Sequence, residues 1–165
     1  STIFQHPFAH RATIGEITTS QIWQAIGESF KLSPTETIAL EHEFFAGNRI
    51  ESVIVDHARA LRGAYKTAIL SNAWDDLREY IAEKKFDDAF DSMIISAEAG
   101  LTKPDPKIYR MALDQLGVSP NEAVFVDDFH ANIKGCQKVG MKGIHFEDPE
   151  MALQQLKELL STRFA

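Results

Sequence analysis

The sequence predicts an α/β protein with a doubly wound parallel sheet, preceded by an all-helical N-terminal region. Two patterns carry that prediction. From residue 16 to about 63 the apolar residues recur with helical period and no strand intervenes; after Gly63, short apolar runs alternate with helical segments of about a dozen residues. Alternation of that kind implies right-handed βαβ units and a parallel sheet. A third feature bears on function: several of the apolar runs end in polar or acidic residues, and the carboxyl ends of parallel strands face the ligand crevice of such folds.

The N-terminal helices come first. Ile17, Ile22, Trp23, Ile26 and Phe30 recur at three- and four-residue steps. Ser33-Pro-Thr-Glu36 is a capping box with proline at the first helical position, so a second helix starts there and runs through Leu40 and Phe44 to Gly47. A third periodic segment covers Ile50 to Leu61. Trp23, Phe30, Phe44 and Phe45 are expected to pack helices together rather than to sieve a substrate. The reading assigns residues 1–63 to a partial helical cap region and 64–165 to the sheet-bearing core.

Within the core, Tyr65 to Leu70 reads as a strand, Trp74 to Lys84 as a helix and Ser92 to Ile95 as a strand. A helix follows from about Pro106 to Leu116, then the strand Ala123 to Val126, a helix from Ala131 to Val139, the strand Lys142 to Phe146 and a helix from Pro149 to Leu160. Ser119-Pro-Asn-Glu122 is a turn that also matches a capping box.

Composition narrows the function. The 165 residues are 44% hydrophobic, 25% charged and 10% aromatic, enough for a packed core and unlike a disordered chain. A formal net charge of −7 leaves no basic footprint for nucleic acid or for an anionic membrane surface, so neither is expected as a partner. An anionic substrate then needs a local cation. The single cysteine, Cys136, excludes an internal disulfide and a multi-cysteine zinc site, and is expected to fill core space. No apolar run approaches the roughly 18 residues of a spanning helix, and the first residues lack a signal-peptide pattern, so a cytoplasmic location is expected.

Three stretches lie where the crevice should form. Ser71-Asn72 follows the first strand, where a hydroxyl, an amide and a helix N-terminus can all bind an oxyanion, although the same pair also caps helices. Lys103 sits in Gly100-Leu-Thr-Lys-Pro-Asp-Pro106, a loop stiffened by two prolines. Asp127-Asp128 ends the apolar run from Ala123. Two carboxylates about 4 Å apart repel by roughly 4 kcal/mol at an effective dielectric near 20, so they call for a cation, a shared proton or separate donors. Hard oxygen ligands of this kind suit Mg²⁺, which keeps several waters and uses one or two carboxylates plus a substrate phosphate. The alternative is that one acid caps the next helix and the other is solvated.

The order and spacing of the three are more specific than any one of them. A strand ending Ser71-Asn72, then Lys103-Pro-Asp-Pro-x-x-Tyr109, then a strand ending Asp127-Asp128 resembles the haloacid dehalogenase-like hydrolase superfamily. Gly135 and Gly140-Met-Lys-Gly143 look like that family's helix and strand after the acidic motif. The resemblance implies a Rossmann-like sheet with a helical cap, and it is nearest to the helical-cap phosphatases. It implies that Ser71 and Asn72 bind the transferring phosphoryl group, and that Lys103, the catalytic candidate, neutralises charge on nucleophile and phosphate. It also implies that Asp127 and Asp128 hold Mg²⁺, with Asp128 the direct ligand. The substrate class so implied is a small phosphorylated metabolite.

One family motif is missing. The superfamily carries Asp-x-Asp at the end of its first strand, the first acid attacking phosphorus and the second serving as general acid and base. No Asp-x-Asp occurs in these residues. Val53-Ile-Val-Asp56 imitates a strand ending in an acid, but its helical period makes Asp56 a decoy. Phosphate-monoester hydrolysis needs accelerations up to about 10²¹-fold, so a chain with the binding groups and no attacking group is expected to be inactive and to represent a truncated form. The missing strand belongs in the middle of the sheet. Two strand edges are therefore expected to face an empty slot, closed by another chain in a homodimer, by a domain-swapped element or by a rearranged N-terminal segment. Two alternatives are a 2-haloacid dehalogenase, against which the paired acids count, and a non-catalytic assembly module.

Overall fold

The computed structural model describes residues 7–46 and 52–161. Residues 1–6, Gly47 and Ile50, on which some of the expectations above fall, lie outside the described residues. Helices α1 (Pro7–Thr13), α2 (Thr19–Phe30), α3 (Pro34–Ala46) and α4 (Ser52–Leu61) precede any strand. The core then alternates β1 (Ala68–Ser71), α5 (Leu77–Glu83), β2 (Ser92–Ile95), α6 (Ser96–Ala99), α7 (Pro106–Leu116), β3 (Val124–Asp127), α8 (His130–Lys138), β4 (Lys142–His145) and α9 (Pro149–Ser161).

Local chemistry explains most boundaries. Thr18 caps α2 in a capping box with Gln21, and α2 ends at Lys31 in the left-handed conformation. Asp105 caps α7 by accepting from the Lys107 N–H at 2.8 Å, with Pro106 at the first turn and Gly117 in the left-handed C-cap at φ 66°. Ser119 and Glu122 form the capping box read from the sequence, around a single 3₁₀ turn. Asp56 lies on α4 and pairs with Arg59 at 2.8 Å, as expected for a helix rather than a strand end. The short helices α1 and α6 come in addition to the expected elements, and Tyr65 to Thr67, expected in the first strand, precede it.

The strands form two parallel pairs. β1 pairs with β2, Ala68 opposite Ser92 and Ser71 opposite Ile95; β3 pairs with β4, Val124 opposite Lys142 and Asp127 opposite His145. Among the described residues no ladder joins β1 to β3. The carboxyl ends of β1 and β3 nevertheless lie together, because one ammonium, that of Lys103, bonds the Leu70 carbonyl and the Asp127 carboxylate. Between β1 and β3 lies a cleft of about 810 Å³, lined by both strands and by α4 and α9.

Two apolar clusters hold the molecule together. One centres on Ile94, Ile108, Tyr109, Phe125, Ile133 and Cys136, under the sheet pairs. The other joins α1, α2 and α3 to the segment after β1 through Trp74. Its rings are in edge and stacked contact: Trp23 to Phe44 at 5.5 Å, Trp23 to Trp74 at 6.2 Å, and Phe44 stacked on Trp74 at 5.9 Å. Trp23, Phe44 and Phe45 thus pack helices as expected. Phe30 does not: it lies at the exposed end of α2 with half its surface in solvent.

Candidate active site

The carboxyl ends of β1, β3 and β4 bring the predicted residues together. Lys103 is the centre. Its side chain is only 9% exposed, and its ammonium donates to the Leu70 carbonyl at 2.9 Å and to Asp127 Oδ2 at 2.6 Å, while lying 5.3 Å from the Phe125 ring centroid. An ammonium has three protons, so one remains for a ligand beyond these two acceptors.

The loop that carries Lys103 is clamped from β1. Asn72 Oδ1 accepts from the Lys103 N–H at 2.7 Å, and Asn72 Nδ2 donates to the Lys103 carbonyl at 2.9 Å. This changes the reading of Asn72: both ends of its amide are engaged with the Lys103 main chain, so the side chain positions the lysine. The neighbouring Ser71 hydroxyl has no hydrogen bond among the described residues and is available to an oxyanion. Behind it, the buried Ser96 hydroxyl accepts from the Ala73 N–H at 3.0 Å and donates to the Ala73 carbonyl at 3.1 Å.

The two acids divide their work. Asp127 is 8% exposed and its oxygens are occupied: Oδ2 by Lys103, Oδ1 by the Phe129 N–H at 2.8 Å and Asn132 Nδ2 at 2.9 Å. Asp128 is exposed, and its carboxylate has no hydrogen bond among the described residues. Its carbonyl lies 2.9 Å from His145 Nε2, and the His145 ring stacks on His130 at 3.7 Å. The donor chemistry fits Mg²⁺: a free carboxylate beside a fixed one, with room for water and phosphate oxygens. Among the described residues no group of three or more histidines, cysteines or acids could hold a metal, so a cation here would need those further oxygens.

The sequence did not point to Asn132 or Ser96, and it offered Tyr109 only as the end of the Lys103 motif, with no role. Asn132 is a polar residue on the buried face of α8 beside Ile133 and Cys136, which was a usable signal. Tyr109 donates its hydroxyl to the Asn132 carbonyl at 2.8 Å; burial holds its phenol proton far above the usual range, so it stays a donor. Gly135 lets α8 approach this layer, since a Cβ there would lie 2.8 Å from both the Tyr109 hydroxyl and Pro104 Cβ.

Fold and site together define an α/β protein that gathers a hydroxyl, a lysine and two acids at the carboxyl ends of parallel strands. A family model for haloacid dehalogenase-like hydrolases matches residues 15–140, and the chain belongs to that family. It is 32% identical over 166 residues to bifunctional epoxide hydrolase 2 of Rattus norvegicus, covering 91% of this chain and 30% of the rat protein. The chain therefore spans less than a third of that relative. It is 29% identical over 151 residues to the sesquiterpene phosphatase astK of Aspergillus oryzae, covering 88% of this chain and 76% of the relative. In shape it resembles the HAD family enzyme bt-2542 of Bacteroides thetaiotaomicron, crystallised with magnesium and inorganic phosphate. The TM-score is 0.74 at 25% identity, over 87% of this chain and 77% of that one. No helix among the described residues is long and apolar enough to cross a membrane.

Proposed function

We propose that the chain is the cap-and-core portion of a Mg²⁺-dependent phosphatase acting on small phosphorylated metabolites. The observation that carries this reading is the Lys103 ammonium, held by Leu70 and Asp127 with one proton left over, beside the uncommitted carboxylate of Asp128. Phosphoryl transfer asks mainly for positioning and charge stabilisation, and these groups supply both. The Ser71 hydroxyl and the third Lys103 proton bind phosphoryl oxygens; Asn72 and Asp127 keep the lysine in place. Asp128, with Asp127 behind it, would hold Mg²⁺, which when bound adds charge neutralisation on the phosphate. Residues 1–63 act as a partial cap and 64–165 as the catalytic core. The paired acids favour this reading over a dehalogenase, whose chemistry at carbon needs no metal.

Attack on phosphorus needs a nucleophile, and no Asp-x-Asp is present in these 165 residues. The chain alone is proposed to bind phosphate without turning substrate over. The test is phosphate release by the full-length gene product from a panel of sugar phosphates, nucleotides and an aryl phosphate, with Mg²⁺ and with EDTA. Release that needs Mg²⁺ and falls at least a hundredfold in Asp128→Asn is expected; no release from any substrate, or halide release that persists in EDTA, overturns the reading.

A further inference from the structure

We infer that His145 is a positioning residue for Asp128: its Nε2–H fixes the peptide group from which the proposed metal-binding carboxylate is aimed. The inference rests on the Mg²⁺ role proposed for Asp128, and it adds a residue that lies in none of the three strand-end stretches.

Asp128 needs an outside hold because its side chain has none. Its carboxylate has no hydrogen bond among the described residues, so its direction is set by the two planar peptides on either side. The peptide before it is pinned by the strand next to β3, where the Asp127 carbonyl accepts from the Phe146 N–H at 2.9 Å. The peptide after it joins the Asp128 carbonyl to the Phe129 N–H, and that N–H donates to Asp127 Oδ1 at 2.8 Å. Its carbonyl end is left over by the regular structure. Helix α8 uses the Phe129 carbonyl, which accepts from the Asn132 and Ile133 N–H groups at 2.9 and 3.1 Å, and no main-chain donor among the described residues reaches the Asp128 carbonyl. His145 Nε2, 2.9 Å away, is the group that does.

A carbonyl oxygen only accepts, so Nε2 carries the proton and His145 is the donor. The ring is set for this contact from several sides. His145 ends β4 opposite Asp127 in the parallel ladder. His130, the first residue of α8, stacks on it with ring centroids 3.7 Å apart and planes 16° from parallel, and Glu147 Oε1 lies 3.3 Å from Nδ1. The side chain is 23% exposed, so it is held against the protein rather than swinging in water. The donor thus ties β4 to the turn between β3 and α8 at a carbonyl that neither ladder nor helix uses. Groups that hold a metal ligand in place are typically worth about 10–100-fold in metal affinity.

The test uses the full-length gene product with Mn²⁺ in place of Mg²⁺, free Mn²⁺ being counted by electron paramagnetic resonance. His145→Phe keeps a flat ring on His130 and deletes the donor. His145→Gln loses the ring and returns an N–H at about the reach of Nε2. His145→Phe is expected to bind Mn²⁺ at least tenfold more weakly than the wild type, and His145→Gln to stay within about threefold of it. A ring needed only for packing predicts the opposite order. That order, equal losses, or no loss in either variant overturns the inference while the wild type still binds the metal. A wild type that binds Mn²⁺ no better than Asp128→Asn overturns the metal role of Asp128 and the inference together, so the two failures read differently. A second readout needs no metal: with isotope-labelled histidine, nitrogen–proton correlation spectra should place a proton on His145 Nε2, assigned by its absence from His145→Gln. A bare Nε2 overturns the inference, and this readout decides should His145→Phe fail to fold.

Discussion

Lys103 and Asp127 form an ion pair of 2.6 Å with side chains 9% and 5% exposed, and through its bond to the Leu70 carbonyl the same ammonium ties the end of β1 to the end of β3. Removing one member of such a pair strands a buried charge, which costs about 3–5 kcal/mol. Lys103→Met and Asp127→Asn should therefore each lower the urea midpoint strongly. The double variant should lose less than the two losses combined, because neither partner is then left charged without the other. Strict additivity in that cycle would show that the pair is not coupled.

Gly135 sets how closely α8 approaches the Lys103 loop. Gly135→Ala places a methyl group 2.8 Å from the Tyr109 hydroxyl and 3.0 Å from the Pro104 carbonyl. Overpacking of this size costs about 1–3 kcal/mol, and the loop that must yield is the one holding Lys103. We expect lower stability together with weaker binding of inorganic phosphate, measured by calorimetry. Adding Tyr109→Phe removes the hydroxyl from the clash but leaves Pro104, so it should restore part of the stability and not all.

Much of this was legible in the sequence, for reasons that differ by element. The strand Ser92–Ile95 and the helix Pro106–Leu116 lie where they were read, because turn and cap residues bound them sharply. Helix α1 escaped notice, since seven residues carry too little periodicity, and Phe30 was misjudged because position on the apolar stripe does not reveal that a helix end projects past its neighbour. The candidate site residues were legible from their types at strand ends and from the order of the motifs they resemble, and the structure joins Asn72, Lys103 and Asp127 by hydrogen bonds. What could not be read was the division of labour: whether Asn72 faces a ligand or a main chain, and which of two adjacent acids is saturated, depends on contacts between segments about thirty residues apart in a parallel α/β fold.

Cys136 is fully buried, and burial together with the nearby Asp127 charge pushes its thiol up to about 11. It should remain unreactive toward a disulfide reagent at pH 8 in the native state and react stoichiometrically once unfolded. Folding raises this thiol above its ordinary value near 9, so the unfolded chain releases the proton first, and stability falls as pH rises from about 9 to about 11. The slope should be shallower in Cys136→Ala, by about 2–3 kcal/mol over that window. Identical alkaline slopes would mean that the thiol does not titrate differently in the two states.

Asp75 fastens the helical region to the loop that follows β1. Its Oδ1 accepts from both the Thr19 N–H at 2.8 Å and the Thr19 hydroxyl at 2.5 Å, at the N-terminus of α2, where the helix dipole favours a negative charge. Trp74, one residue earlier, stacks on Phe44 of α3, so two consecutive residues after Ser71-Asn72-Ala73 bind two different helices. Asp75→Ala should cost about 1–2 kcal/mol through the lost charged hydrogen bonds. Asp75→Asn keeps the acceptor and loses the charge, so it should fall between wild type and alanine if the dipole contributes. The informative measurement is hydrogen exchange: with Asp75→Ala, protection should drop in α2 and in the loop from Asn72 to Asp76 while β3 and β4 keep theirs. A uniform drop across the molecule would instead make Asp75 an ordinary contributor to global stability rather than the fastening between helices and site.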